Sequence, residues 1–158
     1  MKAIIFYATK HGAAEEIAKR IAGQIENAVM FDLKQEDLPS INDYDLVIIG
    51  SSVYAGSFRK EAKEFLVKNA DELGEKKLAL FASGMSESES SEMFKINVPE
   101  KVLQNAVIAS VLGGIFDPKK SNFFERLIMK IVTKQSGYYS NITDEKINEF
   151  VKTIYGND

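Results

Sequence analysis

The sequence predicts an α/β domain of three layers, built on an open, parallel, five-stranded sheet. Three observations carry this expectation. Apolar runs of strand length alternate with amphipathic helical stretches along the whole chain. The runs Ala3-Ile4-Ile5-Phe6 and Leu46-Val47-Ile48-Ile49 are apolar at every position, as strands buried on both faces are. Polar turns containing glycine follow the first, third and fourth runs. Right-handed crossovers allow few strand orders. With the first strand beside both the second and the third, the order is 2-1-3-4-5, and the ligand crevice opens at the ends of strands one and three.

Taken in order, residues 2–8 read as the first strand. Residues 13–26 read as the first helix, with Ala14, Ile17, Ala18, Ile21 and Ile25 at helical spacing. Val29-Met30-Phe31-Asp32-Leu33 is the second strand, and the connection after it, broken by Pro39, is too short for a long helix. Asp45 to Gly50 is the third and central strand. Ser57 is placed to cap a helix from Phe58 to Leu73, stopped by Gly74. Leu78 to Ala82 is the fourth strand. Residues 85–98, with the run Ser86-Glu87-Ser88-Glu89-Ser90-Ser91-Glu92, read as an exposed polar loop. A short helix is expected from Pro99 to Gln104, and the fifth strand from Ala106 to Leu112. Residues 122–134 form an amphipathic helix, and Thr143 and Asp144 cap a last helix that Gly156 ends. No repeat or linker divides residues 1–158, so a single domain is expected.

Composition narrows the chemistry. The net charge of −3 argues against a nucleic-acid binder. The chain has no cysteine, which removes disulfides, thiolate catalysis and cysteine-ligated metals. One histidine leaves little room for zinc or triad chemistry. Neither a signal peptide nor a membrane span is legible, so a cytoplasmic protein is expected. No catalytic acid–base pair suggests itself, and any redox chemistry must come from a bound cofactor.

The turn Thr9-Lys10-His11-Gly12-Ala13-Ala14 leaves the first strand and enters the first helix. It aims the first free N–H groups of the helix, and the positive end of its dipole, out of the sheet edge, which suits a phosphate. Thr9 adds a hydroxyl and Gly12 permits close approach of the backbone. The dinucleotide pattern G-x-G-x-x-G is absent, although Asp32 lies twenty residues beyond Gly12. A P-loop ending is absent too. Lys10 and His11 are phosphate neighbours if they turn inward, and otherwise ordinary exposed groups. The turn after the third strand, Ser51-Ser52-Val53-Tyr54-Ala55-Gly56, offers the flat face of Tyr54 to a planar ring. The turn after the fourth, Ser83-Gly84-Met85-Ser86, faces it from the other side. Within 119–134 stand Lys119, Lys120, Arg126, Lys130 and Lys134 against one acid, Glu125. An apolar stripe of Phe123, Phe124, Leu127, Ile128, Ile131 and Val132 runs beside them. Two readings fit: a helix covering the sheet edge with a solvated basic back, or a surface for an anionic membrane or partner. If the stripe packs on the sheet, the charges project outward.

Together these loops resemble a flavodoxin-like domain. The turn at 9–14 resembles the phosphate loop of that family, Ser/Thr-x-Thr-Gly-x-Thr, with Thr9 and Gly12 matching and with His11 and Ala14 replacing two hydroxyls. The segment Gly113-Gly114, Phe123 to Lys130 and Ser136-Gly137 is similar to the branch that contains menaquinone-dependent protoporphyrinogen IX dehydrogenase. The resemblance implies one noncovalent FMN. Its phosphate would lie at Thr9, Lys10, His11, Gly12, Ala13 and Ala14. Its ring would lie between the turn Ser51, Ser52, Val53, Tyr54, Ala55, Gly56 and the turn Ser83, Gly84, Met85. In such domains the peptide after Ala55 turns its C=O toward flavin N5, and N–H groups of the 83–86 turn meet the flavin pyrimidine. The resemblance further implies electron transfer to a quinone or a redox partner protein. It leaves open an oxidoreductase or a carrier that catalyses nothing alone.

Overall fold

The computed structural model of the chain describes residues 1–84, 87, 90–133 and 137–156, and only the backbone of 132 and 133. In chain order the elements are β1 (Ala3–Ala8), α1 (Ala13–Ala22), β2 (Val29–Asp32), a 3-10 turn (Ile41–Asp43), β3 (Leu46–Tyr54) and β4 (Ser57–Phe58). Next come α2 (Lys60–Lys68), α3 (Ala70–Leu73), β5 (Lys77–Ser83), α4 (Ser90–Asn97), α5 (Glu100–Asn105) and β6 (Ala106–Val111). The chain finishes with β7 (Ile115–Phe116), α6 (Phe123–Thr133), β8 (Tyr139–Ser140) and α7 (Asp144–Tyr155).

The main sheet runs β2-β1-β3-β5-β6, all parallel, which is the expected 2-1-3-4-5 order once the short β4 is set aside. Period-2 alternation divides each central strand between two cores. Ala3, Ile5, Ile48, Ala79 and Phe81 meet α1 and α7 on one face. Ile4, Phe6, Val47, Ile49 and Leu80 meet α2, α4 and α5 on the other. β7 and β8 form a separate antiparallel pair.

Several boundaries differ from the sequence expectation, each for a local reason. α1 ends at Ala22 because, after the Gly23 N–H bond to the Lys19 carbonyl, the N–H groups of Gln24 and Ile25 reach back only three residues, to Ile21 and Ala22. Ser57 is not a helix cap. It is a strand residue opposite Tyr54, so Tyr54-Ala55-Gly56-Ser57 is a two-residue hairpin rather than an open loop. Ala55 and Gly56 both have positive φ, 49° and 76°, as a type I′ turn requires. The long helix expected from 58 to 73 is two. At Asn69 the backbone leaves helical geometry, and its side-chain amide donates to the Phe65 carbonyl.

The expected polar loop at 85–98 contains α4. This helix is anchored by Phe94, which packs edge-on to Phe58 with ring centroids 5.8 Å apart. Its last residue, Asn97, is buried and ties the hairpin down. Asn97 Oδ1 accepts from the Phe58 N–H at 2.9 Å, and Nδ2 donates to the carbonyls of Gly56 and Met93 at 2.7 Å each. Replacement of Asn97 by Ala leaves these three backbone groups short of a partner. It should destabilise the protein by about 2 kcal/mol, read as a lowered urea midpoint; an unchanged midpoint would show that the hairpin holds itself.

Glycine at position 50 has a packing reason. A Cβ there would stand 1.9 Å from the Phe81 ring, which lies across the β3 backbone and edge-on to Phe150. Gly50→Ala should cost about 3 kcal/mol through overpacking. Adding Phe81→Leu should recover part of that loss in the same urea titration, because it removes the ring that the methyl meets.

Candidate functional site

The parallel strands deliver their C-terminal turns to one edge, and a cavity of about 710 Å³ lies there. One end is walled by Lys10, His11 and Ala13, from the turn between β1 and α1. The middle is walled by Ser52 through Gly56, the end of β3 and its hairpin. Ser83 and Gly84 close it beyond β5. Met93 and Ile96 of α4, with Ile128 and Met129 of α6, form an apolar wall across from these turns.

The β1–α1 turn has the geometry of an anion site. Gly12 takes the left-handed conformation, φ 97°, as the cap of α1, and its N–H donates to Thr9 Oγ1 at 2.9 Å. The first helical hydrogen bond runs from Glu16 N–H to the Gly12 carbonyl. The amides of Ala13, Ala14 and Glu15 precede it and have no acceptor within the helix. Ser52 joins this turn to the next: its Oγ accepts from the Lys10 N–H at 3.3 Å and donates to Thr9 Oγ1 at 3.4 Å. Ser51 is buried and accepts from the Arg59 N–H through Oγ, so it supports the hairpin from behind. Thr9, Gly12, Ala14 and Ser51 are thus brought to the edge without walling the main cavity.

Tyr54 is half-exposed at the rim, with Lys10 Nζ 4.8 Å from its ring centroid. The Gly84 N–H donates to the Gly113 carbonyl at 3.0 Å, so it is already engaged rather than presented to the cavity. Met85, Ser86 and the core of the Ser/Glu run lie outside the described residues.

The helix α6 is oriented opposite to expectation. Its apolar stripe does not pack on the sheet. Phe123, Phe124 and Ile131 are 72%, 65% and 70% exposed, and Leu127 and Ile128 are exposed as well. Val132 and Lys134 lie outside the described side chains. The residue turned inward is Glu125, 9% exposed. Its Oε1 accepts from Lys10 Nζ, and its Oε2 lies 2.9 Å from His11 Nε2. Burial pushes the Glu125 carboxyl up, but hydrogen bonds from Lys10 and His11, and their charges, outweigh it and hold it below the ordinary carboxylate value. Lys120 does not belong with the outward charges. Its Nζ would lie 3.9 Å from a Cβ on Gly12, so it stands over the anion turn. Sequence spacing could not show this, because the link spans the whole fold. The one signal was a single acid in a basic segment.

A cleft with amides, a hydroxyl pair and a lysine at one end, and a tyrosine and an apolar wall further in, suits a ligand with an anionic tail and a flat body. Among the described residues no cluster of metal-ligating side chains is present. A family model described as a flavodoxin domain matches residues 4–143. The chain is 24% identical over 147 residues to protoporphyrinogen IX dehydrogenase (quinone) of Escherichia coli strain K12, covering 87% of this chain and 81% of that protein. It is 23% identical over 158 residues to a flavodoxin of Helicobacter pylori, covering 96% and 95%. A Fusobacterium nucleatum flavodoxin variant bound to flavin mononucleotide superposes with a TM-score of 0.55 at 17% identity, over 98% of this chain and 95% of that one. The strand order and the anion turn agree with the match over most of the sequence: the chain belongs to the flavodoxin domain family.

Proposed function

We propose that residues 1–158 act as one FMN-binding redox unit that passes electrons between its flavin and an external partner. The observation that carries this reading is the continuity of the 710 Å³ cavity from the anion turn, past Tyr54 and the hairpin, to Ser83 and Gly84. The residues present fit FMN. The phosphate would be held at Thr9 through Ala14, by the free amides at the start of α1 and by Lys120. The ring would lie against Ser52, Val53, Tyr54, Ala55 and Gly56, with Ser51 behind them and Ser83 and Gly84 on the far side. FMN supplies the hydride and electron chemistry, and the chain's own residues bind, orient and shield it. Asn97 holds the Gly56 carbonyl, so the peptide C=O that would turn toward the flavin is that of Ala55.

The finer version is a dehydrogenase of the protoporphyrinogen type that delivers electrons to a quinone. The E. coli relative supports it, as does the wall of Met93, Ile96, Ile128 and Met129, which faces the flavin turns and suits a second, apolar molecule. The alternative is a carrier serving protein partners, supported by the H. pylori flavodoxin at nearly the same identity. Addition of the purified protein to FMN should quench flavin fluorescence, and Gly12→Asp should abolish the effect, because it strains a left-handed position and sets a carboxylate against the phosphate. Wild-type protein that leaves FMN fluorescence untouched defeats the reading. An anaerobic assay with protoporphyrinogen and a soluble quinone then separates the versions. Turnover supports the dehydrogenase; no turnover, with rapid reduction by a flavodoxin reductase, supports the carrier.

The quinone version also extends to the inner face of an anionic membrane, met through 119–134. Among the described residues no helix is long and apolar enough to cross a membrane. An in-plane contact needs only an apolar face flanked by cations. Phe123, Phe124, Leu127 and Ile131 are exposed beside Lys119, Arg126 and Lys130. Each cation near an anionic surface contributes about 1 kcal/mol, and each buried large side chain about 1.5–3 kcal/mol. Sedimentation should therefore show preference for anionic over neutral liposomes. Gln at Lys119, Arg126 and Lys130 should remove the salt-sensitive part, and Ser at Phe123 and Phe124 the part that survives high salt. Wild type that ignores anionic liposomes at low salt removes the membrane from the reading.

A further inference from the structure

Glu125 is the one charged member of the small set of buried polar residues in the described chain. Its place on α6 is fixed locally: Asn122 Oδ1 accepts from the Glu125 N–H at 2.8 Å, and Asn122 Nδ2 donates to Oε1 at 3.3 Å. Both of its oxygens are then spent on the turn between β1 and α1, one on Lys10 Nζ and the other on His11 Nε2. A single carboxylate from a distant helix thus holds the Lys10 and His11 side chains of the turn that the FMN reading gives to the phosphate. Resting on that reading, we propose that Glu125 is a built-in competitor of the cofactor phosphate, and so the residue that sets how strongly the protein distinguishes FMN from riboflavin.

The argument is one of charge and of donor supply. A phosphate monoester dianion and a carboxylate repel each other when they share the same two partners, the Lys10 ammonium and the His11 ring nitrogen. Charge-assisted hydrogen bonds are also about twice as strong as neutral ones, so whichever anion holds Lys10 and His11 gains most from them. The turn has little else to offer from its side chains. Thr9 Oγ1 accepts from the Gly12 N–H and keeps a single O–H to donate, and Ala14 has no hydroxyl. The amides at the start of α1, and Lys120 over Gly12, lie outside the Glu125 pairs and bind phosphate in any case. Glu125 therefore removes the share of phosphate binding that Lys10 and His11 would supply and leaves the share of the amides, the Thr9 hydroxyl and Lys120. When the phosphate takes Lys10 and His11, α6 loses the ion pairs that hold its inward face.

The test is the ratio of riboflavin to FMN dissociation constants, measured by quenching of flavin fluorescence. The two ligands differ only in the phosphate, so the ratio is insensitive to a general loss of fold that weakens both. Glu125→Gln keeps the shape and the bond from Asn122 but loses the charge. It should raise the ratio about tenfold, through tighter FMN binding, with riboflavin nearly unchanged. A ratio that stays level or falls overturns the proposal, and shows that Glu125 supports the cations instead of competing for them. A second measurement needs no variant. Amide hydrogen exchange across residues 123–131 of the wild type should be faster with FMN bound than with riboflavin bound; equal or slower exchange overturns the proposal as well. Failure of both flavins to bind defeats the FMN reading itself, a result separate from binding with an unresponsive ratio.

Discussion

The constraint on which the structure depends is that β1, β3 and β5 are buried on both faces. A parallel strand with two apolar faces needs a helical layer on each side, and every return crossover then ends its next strand at the same edge. The three turns that wall the cavity share that edge for this reason, though they are scattered along the chain. The site is thus a consequence of the sheet, and the turns themselves need supply only local chemistry. Gly50 shows how tight this arrangement is: the ring of Phe81 fills the space that any side chain would use, so the central strand approaches its neighbour at the point where it delivers Ser51 and Ser52 to the edge.

What was legible in the sequence follows from the same physics. Unbroken apolar runs identified the central strands and hence their order, and the polar turns after them identified the crevice. Ile147, Phe150, Val151 and Ile154 were legible because helical spacing and a Thr143 cap agree. The hairpin after β3 was not legible. Its central pair is Ala-Gly, whereas the usual signal for a type I′ turn is Asn or Asp before Gly, and Ser57 carries the chemistry of a cap wherever it stands. Helix α4 was hidden because its first turn lies in a Ser/Glu run, and its place is decided by burial of Phe94 and Asn97.

The orientation of α6 was illegible for a deeper reason. Periodicity shows that a helix has two faces, but the rule that the apolar face turns inward supposes that the core has apolar surface to offer. Here the facing turn carries Lys10 and His11, and the partner that both side chains meet is a carboxylate. The acid is thus the buried residue of the helix, while five apolar side chains stay exposed. The apolar stripe is left uncovered as the remainder of that choice, and an uncovered stripe beside cations is itself a signal of an interaction surface.

The outward and inward faces of α6 are opposite sides of one rigid rod. Glu125 and Met129 turn toward the cavity, while Phe124, Leu127 and Ile131 turn away from it. A helix rises about 1.5 Å per residue and cannot move one side without the other. Whatever holds Glu125 therefore also sets the posture of the apolar face, and whatever covers that face bears on how firmly Glu125 sits on Lys10 and His11. Through Glu125 the turn between β1 and α1 and the exposed apolar face are tied to one helix, and Ile128, which both lines the cavity and reaches solvent, marks the seam where the two sides of that helix meet.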